Sequence, residues 1–187
     1  MQYYKLMYDY EKDEEYVFSD IANIGTMNEY ITISGKKIEH WENVIFEYDS
    51  AQGNILTDYL ANLYRWLVVS DKFRQVTEDV LENQVQYLPV KLKDRLTNYV
   101  VDSYSVANII TLIDALDLQK SKYDIFELDD KKIISVEKYA LKRDKILDKH
   151  MFRLKDDEIP VFVSETLKKV IEDNGLIGFE FLQVDVI

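Results

Sequence analysis

Two segments of this chain, 94 residues apart, follow one pattern. In the first, the apolar run Trp66-Leu67-Val68-Val69 ends at Ser70 and Asp71, and Phe73, Val76 and Val80 then fall on one helical face. In the second, Val161-Phe162-Val163 ends at Ser164 and Glu165, followed by Leu167, Val170 and Ile171. A serine hydroxyl just before a helix accepts a first-turn amide, and an acid after it meets the positive end of the helix dipole. A strand-like stretch follows each helix: Leu88, Val90 and Leu92 share a face in one copy, and Phe179–Val186 closes the other after the stop signal Asn174-Gly175. Residues 66–90 and 160–184 are identical at seven of 25 positions, among them Val69/Val163, Ser70/Ser164 and Val90/Val184. This reads as a duplicated strand–helix–strand unit: too few copies for a solenoid, enough for two pseudo-symmetric halves.

Elsewhere, alternation predicts a strand at Tyr4, Leu6, Tyr8 and Tyr10, then a charged turn over 11–15 and a return strand at Tyr16-Val17-Phe18. Further strands are predicted at Tyr30–Ile33 and Val44–Tyr48. Leu56, Tyr59, Leu60 and Leu63 stand at helical spacing and predict a short helix over 56–64, while the two clear amphipathic helices are expected near 71–82 and 165–174. Val106 to Leu116 fits a strand or a helix equally. Ten to twelve strands against two clear helices make the fold class α+β, strand-rich with mixed sheets. Five glycines and two prolines leave no linker, so the expectation is one domain over 1–187. Within it, an acidic β subregion at 1–50 packs on a core over 53–187.

Charge narrows the function classes. The chain carries 35 acidic and 23 basic side chains, a net charge of −12, and no cysteine. The missing cysteines exclude disulfide scaffolds, thiolate metal sites and thiol nucleophiles. The acidity argues against nucleic acid or an anionic membrane as partner, because phosphate neutralisation needs Lys and Arg. Residues 1–50 hold eleven acids, four bases and seven of the fourteen tyrosines. Carboxylates steer a basic partner, and tyrosine supplies stiff contact area at protein interfaces. The expected interface is therefore Glu11, Asp13, Glu14, Glu15, Tyr16, Glu29, Tyr30, Trp41 and Glu42. Such residues also suit the solvated face of a half-buried sheet.

No catalytic constellation is legible, and no cofactor or metal site. His40 and His150 each stand alone, the glycines form no phosphate loop, and neither Ser70 nor Ser164 lies in a nucleophile elbow. Asp114 with Asp117, Asp129-Asp130 and Asp156-Asp157-Glu158 are carboxylate groups that a hydrolase could use, but 35 acids produce such groups by chance and turns collect them. No leader or membrane-length apolar run is visible, so the expected location is the cytoplasm.

Whole segments resemble a bacterial family. Gly53-Asn54-Ile55-Leu56-Thr57-Asp58-Tyr59-Leu60, Trp66–Ser70 with its helix and Gln86-Tyr87-Leu88-Pro89-Val90-Lys91 carry the likeness in the first half. Ala115-Leu116-Asp117, Ser121-Lys122-Tyr123-Asp124, Phe152-Arg153-Leu154 and Val161–Glu165 carry it in the second. In order and spacing these are similar to the immunity proteins of polymorphic toxin systems, the immunity MXAN type, formerly a domain of unknown function. The resemblance implies function by binding a cognate toxin, often a nuclease, and it brings no catalytic or partner-binding residues. The alternatives are a generic acidic interaction module with another basic partner, or a hydrolase working with carboxylates alone.

Overall fold

Ser70 Oγ accepts the Phe73 amide at 3.1 Å and Ser164 Oγ accepts the Leu167 amide at 3.2 Å, so both serines cap helices. These contacts come from a computed structural model that describes residues 1–10, 14–128 and 131–187. The chain runs through β1 (Tyr3–Tyr8), β2 (Phe18–Ser19), β3 (Ile21–Asn23), β4 (Val44–Tyr48), β5 (Tyr59–Asn62), β6 (Val68–Ser70), α1 (Asp71–Thr77), β7 (Val85–Asp94) and β8 (Val100–Ile109). It continues through β9 (Leu112–Ile113), β10 (Lys122–Leu128), β11 (Lys131–Lys138), β12 (Ala140–Leu141), α2 (Arg143–Ile146), β13 (Met151–Leu154), β14 (Val161–Ser164), α3 (Glu165–Asp173) and β15 (Phe179–Val186). The fold class is α+β, with parallel and antiparallel pairs in both large sheets.

Each large sheet contains one of the repeated units, and in each an antiparallel strand splits the unit's two parallel strands. β8 lies between β6 and β7, and β1 lies between β14 and β15. The registers coincide: Tyr104 on β8 faces Ser70 and Val90, and Tyr3 on β1 faces Ser164 and Val184. Both tyrosines donate their hydroxyls to a backbone carbonyl, of Thr57 and Ile146 respectively. The likeness extends outward. The seven-stranded sheet is ordered β2-β5-β6-β8-β7-β4-β3, and the six-stranded sheet β9-β13-β14-β1-β15-β12, with matching parallel and antiparallel pairs. Two differences remain: β3 has no counterpart in the six-stranded sheet, and the splitting strands come from different places in the chain. β8 follows β7 directly in sequence, whereas its counterpart in the second sheet is β1, the chain's first strand.

Packing follows from the same alternation. Leu67 and Val69 point to one side of their strand and join Phe73, Ile109, Leu6, Val163, Leu167 and Ile171 in a buried cluster that both sheets share. Val68 points the other way, into a cluster with Phe46, Trp66 and Leu92. Phe162 likewise leaves Val161 and Val163 for a third cluster with Tyr3, Phe152 and Leu141. Strands buried on both faces read as unbroken apolar runs, which is how Trp66–Val69 and Val161–Val163 read. α1 packs on α3. The first fifty residues divide between the sheets, β1 in one and β2 to β4 in the other.

Four local expectations are corrected. Tyr16–Phe18 is not the return strand of a hairpin, because β14 and β15 occupy both edges of β1; β2 instead pairs in parallel with β5. Residues 31–33 form a 3₁₀ turn, not a strand: Asn28 Oδ1 accepts the Tyr30 amide, and the Ile31 and Ile33 amides bond back to Asn28 and Tyr30. The helix over 56–64 is absent. Its residues 59–62 form β5, and Asn62 turns the chain by bonding Leu60 O and both backbone groups of Trp66. α1 stops at Thr77, five residues short of the expected end, where Val80 and Leu81 amides turn back to Thr77 O. Residues 106–116, open on sequence grounds, end β8 and form β9.

The caps are testable. Besides its cap bond, Ser70 Oγ donates to Asp58 Oδ1 at 2.6 Å, and Ser164 Oγ pairs with His150 Nδ1 at 2.7 Å. Ser70→Ala and Ser164→Ala are each expected to cost about 1–2 kcal/mol, one cap plus one side-chain bond. Urea titration should show a lower midpoint with an unchanged m-value.

Candidate partner-binding site

The loop over 24–43 is fastened across one face of the seven-stranded sheet by side chains from the sheet itself. Trp66 Nε1 donates to Glu29 O at 2.6 Å, and Asn108 Nδ2 donates to Lys36 O at 2.9 Å. Gln86 and Ile38 exchange two hydrogen bonds, at 2.9 and 3.0 Å. From the loop side, Trp41 Nε1 donates to Pro89 O at 2.8 Å. The result is an aromatic corner: Trp41 and Tyr64 rings lie 5.7 and 5.5 Å from Trp66. Glu29, Tyr30 and Glu42 are exposed around it and Trp41 is half-buried. A hydrogen bond to the Glu29 carboxylate raises the Tyr30 phenol above its ordinary range. Glu42 Oε1 accepts both the amide and the hydroxyl of Thr26. Gly25, at φ +63, leaves space for that carboxylate, which a Cβ there would overlap.

A second group lies apart from this corner. Glu14 and Glu15 are exposed in a turn whose Glu15 carbonyl accepts the Asn54 and Ile55 amides. Tyr16 is only 5% exposed and packs edge-on against Tyr8, so it contributes to the core and presents no surface. Glu11 and Asp13 lie outside the described residues. Of the nine expected interface residues, the fold therefore brings Glu29, Tyr30, Trp41 and Glu42 together and sets Glu14 and Glu15 elsewhere.

Sequence reasoning missed a cleft beside the aromatic corner. Two neighbouring cavities, of about 350 and 380 Å³, share Arg65, Arg153 and Ile159. Glu29, Tyr30 and Tyr64 line one of them; Tyr8, Tyr10 and Tyr59 line the other. Arg65 sits at the end of the Asn62 turn with φ +55, a left-handed conformation that costs about 1 kcal/mol in a residue with a Cβ. Arg153 is 3% exposed on β13. Its Nη1 donates to the Glu158 and Ile159 carbonyls, and its Nε has no partner. Burial pushes the Arg153 guanidinium down to about 10, and pushes the neighbouring Tyr59 phenol up to about 12 against the pull of Arg153. No sequence signal joins residues 59, 65 and 153; they meet only as the lining of a shared cleft.

The carboxylate groups find other work. Asp114, Asp117 and Asp156 line one open hollow of about 450 Å³, but Asp117 Oδ1 accepts the Gln119 and Lys120 amides and Asp114 lies 3.8 Å from Lys142. Asp157 accepts the Tyr139 hydroxyl at 2.7 Å. Asp129 and Asp130 lie outside the described residues. Among the described residues no three His, Asp or Glu side chains are placed to hold a metal ion, and no helix is long and apolar enough to cross a membrane.

His40 is exposed, whereas His150 is partly buried against Ser164. Burial depresses the His150 imidazole below its ordinary value, with the Asp148 carboxylate opposing. Because the folded state disfavours the charged form, stability from this group is fully present above the unfolded value and declines as pH falls through the folded one. Chemical denaturation from about pH 7 to about pH 5 should show stability falling, with a shallower fall in His150→Gln; equal slopes in both proteins would remove His150 as the cause.

No curated protein matches the sequence. A family model does: that of an immunity protein family (Imm11), over residues 3–186.

Proposed function

Because the chain belongs to the immunity protein family (Imm11), we propose that it protects a bacterial cell by binding and neutralising a cognate toxin, without catalysing a reaction itself. The family match over nearly the whole chain carries this reading. The partner is a basic protein, and a nuclease domain is the class that fits, since a groove built for a phosphodiester backbone is lined with Lys and Arg. The net charge of −12 supports it by steering such a partner from a distance. The surface assigned to the toxin comprises Glu29, Tyr30, Trp41 and Glu42, with Glu14 and Glu15, and Glu11 and Asp13 next to them in sequence, as a separate second contact. Encounter and neutralisation take place in the cytoplasm.

The experiment is co-expression with the product of a toxin gene encoded next to this one. Rescued growth and co-purification of the two chains are the expected result. Toxin that kills equally well with this chain present, and that does not co-purify with it, would overturn the proposal.

A further inference from the structure

Arg153 is a charge in search of a partner. A guanidinium has five donors and one positive charge, and a buried one is ordinarily paired with a carboxylate. Here the side chain is 3% exposed, two carbonyls engage Nη1, Nε bonds nothing, and no ion pair is formed among the described residues. Glu158, next to it, supplies its carbonyl and not its carboxylate. Arg65, across the same cleft, also lacks an ion pair among the described residues. In a chain with 35 acids and 23 bases, two unpaired arginines facing one cleft are an inversion of the surrounding surface.

We infer that the cleft between Arg65 and Arg153 is a receptor for one carboxylate side chain, carried on a loop of the toxin. The inference rests on the toxin-binding reading above and deepens it by naming what the partner inserts. Geometry supports a side chain as occupant: each cavity is a few hundred Å³, one walled by Tyr30, Tyr64 and Ile159 with Glu29 on its rim, the other by Tyr10, Tyr59 and Ile159 with Lys5. Tyrosine rings on both sides lower the local dielectric, which strengthens a bidentate guanidinium–carboxylate bond. Burial weakens the hold of Arg153 on its proton, with Tyr59 and the Glu158 charge opposing, and leaves the Nε donor unpartnered. The two length scales then divide the labour. The long-range field attracts a basic protein, and the short-range cleft admits only one that presents an acid at the right place. A polyanion such as nucleic acid is repelled by the same field before it reaches the cleft.

The test uses small probes with the full chain. N-acetyl-aspartate amide and N-acetyl-glutamate amide are titrated while the Arg65 and Arg153 side-chain N–H resonances are followed. N-acetyl-glutamine amide serves as the neutral isostere and inorganic phosphate as the competing anion. Both carboxylates are expected to shift the two arginines and saturate near about 1 mM, as suits single-residue ligands. The glutamine probe should shift neither. Arg65→Gln, at an exposed turn, should weaken carboxylate binding about tenfold with its thermal midpoint unchanged. Arg153→Met, which keeps the stem and removes the charge, should abolish binding yet remain folded. The inference is overturned by absent shifts, by equal response to the glutamine probe, by phosphate binding more tightly than either carboxylate, or by unaltered binding in Arg65→Gln. Because no toxin is present, failure here with toxin capture intact removes the cleft alone. A cleft that binds carboxylates in a chain that captures no toxin leaves the carboxylate site standing and removes the functional reading, and with it the toxin loop as the source of the carboxylate.

Discussion

A chain lacking residues 1–10 is expected not to fold. β1 pairs with both β14 and β15, so its loss removes one ladder from each and splits the sheet into β9-β13-β14 and β15-β12. It also removes Tyr3, Leu6 and Tyr8, which are 2%, 8% and 7% exposed. At about 1.5–3 kcal/mol for each buried side chain, the loss is about 5–9 kcal/mol before any ladder hydrogen bond is counted. A domain has about 5–15 kcal/mol in all. Tyr3 adds a hydroxyl bond to Ile146 O, and the segment's backbone receives the Glu165 amide at Gln2 O. Far-UV circular dichroism of the truncated chain should show no cooperative thermal transition, and a synthetic peptide of residues 1–10 should restore one. A truncated chain that melts cooperatively without the peptide would show that the six-stranded sheet does not depend on β1.

Reversing Glu14, Glu15 and Glu29 to lysine changes the net charge from −12 to −6, since each substitution adds two units. The expected effect on toxin capture is a fall in association rate of about 10- to 100-fold at low ionic strength, with a flatter dependence on salt and little change in dissociation rate. Glu42 is left in place, because its carboxylate holds the Thr26 turn and its reversal would disturb the loop as well as the field. The control is the same charge change at Glu78, Asp79 and Glu82, exposed residues at and beyond the end of α1. If both triple variants slow association equally in stopped-flow measurements, net charge alone matters and the acidic patch has no special place.

What could be read in advance, and what could not, divides by the range of the interaction. Ser70 and Ser164 were legible because a cap is made within three residues, and the flanking apolar runs were legible because alternation survives wherever a strand is buried on both faces. The helix expected over 56–64 failed for the complementary reason. Leu56, Tyr59, Leu60 and Leu63 fit a helical face, but a segment this short has little intrinsic preference, and pairing with β6 at Tyr59–Val69 and Leu60–Val68 decided the outcome. Tyr16 looked like a surface aromatic in an acidic stretch; only its contact with Tyr8, on another sheet strand, shows it to be core.

Readable from the chain alone were the α+β class, the two like strand–helix–strand units and the acidic net charge. These follow from local periodicity, from residues three apart and from a sum over charges. Tertiary structure decided that each unit is split by a strand from outside it, and that in the second sheet this strand is the chain's first, about 155 residues away. It also decided that Arg65 and Arg153 face one cleft. Strand pairing across such separations is chosen by which buried faces fit together once loops close, and a burial of that kind leaves no mark on neighbouring residues.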